Sequence, residues 1–345
     1  MFTIISDIHC HNHKTHAKIE NGVNSRFEQG LSSIRQAVNF AIANKSKALL
    51  ICGDLFHVKG VLKPSVFKMV QDEISNASKY LDVVVISGNH DFESYLKYEE
   101  NSYQEGSSMI DILSDTKFKI SKPQIFDLCG QKFGAIPFLT DIKDFKKELV
   151  QMAAKSVNYI MIHQGIDGLY KNSAIPSTGL SVEFLEEVAE KYNVTRIFSG
   201  HYHTPAISKT GRVVMVGSPY HQNFSDIGID MGLWNETESG CNFHKLNYVE
   251  FIDVDLTKPR ATLPDLKNKI ARILVKSESK IDKLNLDSAE SVSVQIQREF
   301  TTTHEKAIEP SESTLDMFIK FVNNDDKIDE EMKKGVIKFY EQTCL

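Results

Sequence analysis

Five short groups of residues combine carboxylates, imidazoles and an amide: Asp7-Ile8-His9, Gly53-Asp54-Leu55-Phe56-His57, Gly88-Asn89-His90-Asp91, Ile162-His163 and Gly200-His201-Tyr202-His203. Two divalent cations about 3.5–4 Å apart can clamp the attacking and leaving oxygens of an in-line phosphoryl displacement. Such a site needs one carboxylate that touches both ions, further oxygen and imidazole donors, and an open edge. Asp54 follows an apolar run and a permissive glycine, which suits it to the bridge. Asp7 and His9 are two apart, the spacing that sends side chains to one side of a strand end. Asn89 offers a neutral oxygen, and His163, His201 and His203 supply nitrogen. This donor set suits Mn²⁺, Fe²⁺ or Zn²⁺ better than Ca²⁺.

Each group ends an apolar run. Phe2–Ser6, Lys47–Cys52, Asp82–Ser87, Asn158–Ile162 and Thr195–Ser199 read as strands, and 213–216 and 243–254 as further β structure. Amphipathic helices are expected over Phe27–Asn44, Pro64–Lys79 (opened by proline), Asp141–Lys155 and Ser181–Lys191. Continuous apolar strands alternating with such helices predict an α/β fold with its sheet covered on both faces. Ligands in such folds gather at the carboxyl ends of the strands, where all five groups fall.

The chain has 345 residues, 25% of them charged, with a formal net charge of −6. That balance neither favours nor excludes a phosphate-bearing partner, because bound cations bring their own positive charge. No apolar run reaches the roughly 20 residues that span a bilayer, and no secretory signal is visible. Five scattered cysteines without a Cys-x-x-Cys pair read as reduced thiols of a cytosolic protein. Cys10 and Cys52, beside candidate ligands, read as buried fillers. The loop holding His11, His13, His16, Lys14, Lys18 and Arg26 reads as a solvated, phosphate-facing segment able to track a DNA backbone.

The composition shifts near Thr257. The reading gives a catalytic domain over 1–256, a small capping domain over 257–308, and a linker with two short helices over 309–345. The capping domain is expected as a β-α-β unit, with strands at 270–276 and 291–300 and a weak helix at 281–290. Leu315, Phe318, Ile319 and Val322 form one terminal stripe, and Met332, Val336, Phe339 and Tyr340 a second. Helices this short must pack on something, either the chain's own body or a partner.

The ordered series Asp-x-His, Gly-Asp, Gly-Asn-His-Asp, His and Gly-His-x-His resembles the calcineurin-like metallophosphoesterase superfamily over roughly 1–250. The resemblance implies a four-layer β-sandwich flanked by helices. It also implies one metal on Asp7, His9, Asp54 and His203, and another on Asp54, Asn89, His163 and His201. His90 would protonate the leaving oxygen, oriented by Asp91. Gly-Asp-Leu-Phe-His with Pro64-Ser65, Gly217-Ser218-Pro219 and the start at Met231 resemble SbcD-type DNA double-strand-break nucleases. In that branch His57 would be a second catalytic imidazole at the substrate phosphate.

The narrower resemblance implies a Mn²⁺-dependent exonuclease and endonuclease (Mg²⁺ being the alternative) acting in DNA repair, recombination or replication. It implies a homodimer formed near Pro64–Lys79 and Gly106–Leu113, with Val66, Met69, Val70, Met109 and Ile112 fitting either that interface or packing on the sheet. An SbcC-type SMC-like ATPase would dock on residues 315–342. The compact chain implies a bacterial or phage-type protein of the cytosol. Two rivals remain: a small-molecule phosphodiesterase or phosphatase on the same fold, and a catalytically silent interaction subunit.

Overall fold

The computed structural model describes residues 1–99, 102–104, 106–169, 179–276, 284, 286–296, 319, 322–323, 329 and 332–337. Two six-stranded sheets carry the site. The first runs in the order Phe118–Ile120, Asp82–Ile86, Ala48–Ile51, Phe2–Ile5, Gly232–Thr237, Gly240–Lys245. The second runs Gln124–Leu128, Gln131–Ile136, Tyr159–His163, Arg196–Gly200, Val213–Met215, Ala206–Ile207. The strands that deliver the candidate ligands are parallel neighbours within each sheet.

Strand alternation explains the layering. Ile4, Leu50, Val84 and Ile86 of the first sheet meet Phe133, Met161, Phe198 and Val214 of the second in one buried cluster. Their neighbours Ile5, Leu49, Ile51, Val83 and Val85 face the other way. There they pack under α1 (Ser25–Ala43) and α2 (Pro64–Ser78). On the far side Ile160, Ile162, Ile197, Val213 and Met215 pack under α3 (Ile142–Ala153) and α4 (Val182–Lys191). The architecture is therefore helix, sheet, sheet, helix. Strands that read as unbroken apolar runs are buried on both faces, so each residue finds a core whichever way it points.

Among the strands that escaped the sequence reading are Phe118–Ile120, Gln124–Leu128 and Gln131–Ile136. The last two form a hairpin whose turn is Cys129-Gly130, both with positive φ (52° and 78°). That geometry matches the favoured two-residue hairpin turn, but cysteine is not among its usual first residues.

The boundary expected at 256/257 falls just after the strand Glu250–Asp255. Glu250–Asp255 does not extend the large sheets; it pairs in parallel with Lys269–Val275, which pairs with Ser291–Ile296. This third sheet has its own core of Val254, Leu266, Ile273 and Val275. The β structure expected over 243–254 is two strands serving different sheets. The weak helix expected at 281–290 is not seen: of that span 284 and 286–290 are described, as coil, turn, a bridge from Ala289 to Lys267 and a bend, and 281–283 and 285 lie outside the described residues. Residues 1–297 form one compact unit and 298–345 a second. Within the second, 322–323 and 332–337 are helical. Val322 is buried, whereas Met332 and Val336 are exposed; Leu315, Phe318, Phe339 and Tyr340 lie outside the described residues.

Of the apolar residues open to two readings on and near α2, Val66, Val70 and Met109 are buried in the core under the helices, and Met69 packs against it. Ile112 is exposed. No helix among the described residues is long and apolar enough to cross a membrane.

Phe198 is fully buried between the two sheets. Phe198→Ala should lower unfolding free energy by roughly 3–5 kcal/mol, read as a shift of the urea midpoint with unchanged slope.

Candidate metal centre

The loops leaving strands Phe2–Ile5 and Ala48–Ile51 run side by side. Asp7 N–H donates to Gly53 O (3.0 Å), His9 N–H to Asp54 O (2.9 Å) and Cys10 N–H to Leu55 O (2.8 Å). Asp7, His9, Asp54 and His201 all hold positive φ, at 52°, 52°, 51° and 93°. Non-glycine residues in this region cost of order 1–3 kcal/mol each and persist only where surroundings enforce them. Asp7 and His9 are thus aimed by two left-handed loop conformations, not by the strand alternation that their spacing suggested. Two glycines permit the close approach. A Cβ on Gly53 (φ 96°) would lie 2.1 Å from His163 Nδ1, and one on Gly88 2.1 Å from Asp54 Oδ1.

All seven expected ligands converge. Donor atoms of Asp7, His9 and His203 lie within 4.8 Å of one another, as do those of Asp7, Asp54 and His163. Asp54 Oδ2 lies 3.7 Å from His9 Nε2 and 3.3 Å from His163 Nε2, between the two groups. Asn89 Oδ1 is 3.3 Å from His163 Nε2 and 2.9 Å from His201 Nδ1. His201 N–H donates to both oxygens of Asp7 (3.0 and 3.1 Å). Asp7 carries donor atoms into both groups, a breadth its expected role on a single ion did not include.

This arrangement fits a pair of divalent cations. His9 Nε2 and His203 Nε2 face each other at 3.2 Å, so at most one proton fits between them. His163 Nδ1 is 2.7 Å from Cys52 O, which orients Nε2 toward the Asp54 and Asn89 oxygens. Burial would strip His163 of its proton, but the Asp54 carboxylate beside it wins and pushes it up to about 9. Conversely, burial would raise Asp54, yet His163 and His9 hold it well below the usual carboxylate range. The pocket therefore demands positive charge where those atoms meet, which is what a cation supplies. Burial pushes His9 far down and His201 to about 4, leaving neutral imidazoles, the form that binds metal.

His57 and His90 stack almost parallel, with centroids 4.9 Å apart at 11°, and His57 Nδ1 is 3.1 Å from His9 Nδ1. Asp91 does not orient His90 as expected. Its fully buried carboxylate accepts from the backbone N–H groups of Phe56 (2.8 Å), Gly88 (2.8 Å) and Leu55 (3.3 Å). Burial, with Asp54 nearby, raises Asp91 to about 7. His90 is held instead by the carbonyl of His57, 2.6 Å from Nδ1, while its backbone N–H donates to Asp54 Oδ1 (2.8 Å). Asp91 is a clamp between two ligand loops.

The loop after His9 is solvated only in part: Lys14 and Lys18 are exposed, whereas His11, His13 and His16 are half-buried. Arg26 is 3% exposed, opens α1, and donates through Nη2 to Gln222 O (2.7 Å). His16 reaches Ser291 Oγ (3.1 Å) and Lys18 pairs with Glu290, so the third sheet pins the segment. Cys10 and Cys52 are buried, and burial pushes both thiols up, away from the thiolate a nucleophile needs. The described cysteines, 10, 52, 129 and 241, are all free. Sequence reasoning missed the segment that fixes Asp7 from behind: Ser218 Oγ and Gln222 Nε2 donate to Asp7 O, and Tyr220 O–H to Ile8 O. Gly217-Ser218-Pro219 was the visible signal, though it did not reveal this role.

The family model for calcineurin-like phosphoesterases matches residues 1–205. The chain belongs to that family. No curated protein matches it. Among solved structures, a Staphylococcus aureus protein assigned as a 5′-nucleotidase overlaps at 13% identity and TM-score 0.39, covering 71% of this chain and 52% of that one. The chain thus spans about half the length of that neighbour. An archaeal phosphodiesterase overlaps at 13% identity and TM-score 0.33 (71% and 99% covered), and a dimetal phosphatase from Danio rerio at 13% and 0.39 (63% and 87%). Family membership and the converging Asp and His donors agree on a centre able to hold metal ions.

Asp54→Ala should abolish metal retention. Elemental analysis after gel filtration in Mn²⁺ should find about two ions per chain in the parent and a large loss in the variant, with the circular dichroism spectrum retained.

Proposed function

We propose that the chain is a DNA nuclease, the nuclease subunit of an SbcCD-like complex. The observation that carries this reading is the pair of parallel imidazoles, His57 and His90, set beside the ligand His9. The Gly-Asp-Leu-Phe-His motif that places His57 is the one resembling the SbcD branch. The third sheet supports it as well. Phe251 packs edge-on to Phe224 (4.8 Å) and lies under the Arg26 guanidinium (4.9 Å), joining that sheet to the rim of the centre.

When bound, two divalent cations supply Lewis acidity at the phosphoryl oxygens and charge that offsets the substrate's. The chain's own groups do the rest. Nδ1–H of His90 donates to the His57 carbonyl, so Nε2 is the atom that holds and delivers a proton to the leaving oxygen. The His57 ring fixes the plane of His90 by stacking and offers a second imidazole to the phosphate. Asp91 holds the loops that carry Asp54 and Asn89 in register. Mn²⁺ in preference to Mg²⁺, pairing of two copies, and docking of an SMC-like ATPase on residues 315–342 belong to the same proposal. Of the described stripe residues in that span, Met332 and Val336 are exposed and Val322 is buried.

End-labelled linear duplex DNA incubated with the protein and Mn²⁺ should be digested, and Asp54→Ala should be inert. His90→Ser should keep its metal while losing roughly 10²–10⁴-fold in rate. Hydrolysis of small phosphodiesters without action on DNA, alone or with an SbcC-type ATPase and ATP, would establish the small-molecule reading instead.

A further inference from the structure

Beside the metal centre lies a second cavity of about 470 Å³, within the range of small-molecule sites. One side is apolar: Phe56, Val58, Val61, Leu62 and Val66. Val58 and Val61 are 43% and 61% exposed, so this wall is open to a ligand and not sealed into the core. The other side is a column of imidazoles. His13 and His11 lie 3.7 Å apart between centroids, His11 and His57 stack at 4.0 Å, and His57 stacks in turn on the candidate proton donor His90. His11, His13, Thr15 and His57 line both this cavity and the one holding the ligands, so the two share a wall. Asn12 adds an amide that can donate and accept, and Lys14 and Lys63 add positive charge.

We infer that this cavity receives an unstacked nucleobase of the nucleotide bearing the scissile phosphate, held between the histidine column and the apolar wall; this rests on the nucleic-acid reading above. A flat, apolar-faced group with a polar edge matches aromatic and aliphatic walls with one amide. Its covalent link to a phosphate matches the shared wall and the lysines. Unpaired bases are commonly held on aromatic side chains in this way. A paired base would have to leave its stack first, so frayed or mismatched termini should be the better substrates.

The test titrates the metal-free full-length protein with 2-aminopurine deoxyriboside 5′-monophosphate, whose fluorescence is quenched on stacking. The parent protein should quench it saturably. Val61→Trp, at an exposed position that fills the cavity, and His11→Ala should each weaken binding by roughly 5- to 150-fold. His11→Phe, which keeps a flat ring, should restore it. With Mn²⁺, the ratio of kcat/KM for thymidine 5′-(para-nitrophenyl phosphate) to that for methyl para-nitrophenyl phosphate should fall in step. No quenching, or quenching that Val61→Trp leaves unchanged, would overturn the assignment. Quenching as described in a protein that never cuts DNA would keep the cavity and remove the nuclease reading. DNA cleavage without quenching would do the reverse.

Discussion

The site depends on the buried carboxylate of Asp54. Its Oδ2 lies between His9 and His163, its Oδ1 accepts the backbone N–H of His90, and its own backbone carbonyl accepts the N–H of His9. One residue thus ties together loops from three neighbouring strands of the first sheet and a strand end of the second. A carboxylate taken out of water must be paired, because an isolated buried charge costs several kcal/mol. Here the partner is His163, which carries a proton when no cation is present. The arrangement is held ready by an electrostatic demand that a cation meets.

Around that charge the backbone is tight. Gly53 and Gly88 let the Asp54 loop touch His163 and the Asn89 turn, and Asp91 spans the remaining gap with backbone bonds to Leu55, Phe56 and Gly88. Left-handed φ values at Asp7, His9, Asp54 and His201 are the conformational cost of aiming four ligands inward. Strain clusters where function over-determines geometry. The three stacked cores beneath, one between the sheets and one under each helix pair, are rigid enough to impose it.

Electrostatics also sorts the histidines by role. His163, against Asp54, gains affinity for a proton, whereas His9, His57 and His201, buried among other imidazoles, lose it. The neutral rings stack or ligate. The column from His13 through His11 and His57 to His90 links the metal centre to the neighbouring cavity through ring faces alone.

The candidate ligands, and the strands that end at them, are legible in the amino-acid order alone. The seven candidate positions could be read because each follows an apolar run, and burial on both faces leaves that run unmistakable. The four helices were legible for the same reason: their apolar stripes need a sheet to cover. The rest depends on which atoms meet across distant segments, and only folding brings those together. Nothing local to Gly-Asn-His-Asp shows that Asp91 turns to the backbone of Leu55 and Phe56 while His90 takes the His57 carbonyl. Nothing local to Glu250–Asp255 shows that it leaves the large sheets for a third one. The turn at Cys129-Gly130 hid a hairpin, since φ is set by the strands it joins as much as by its residues. Arg26 reads as a solvent-facing cation until the 221–222 carbonyls and the ring of Phe251 close over it.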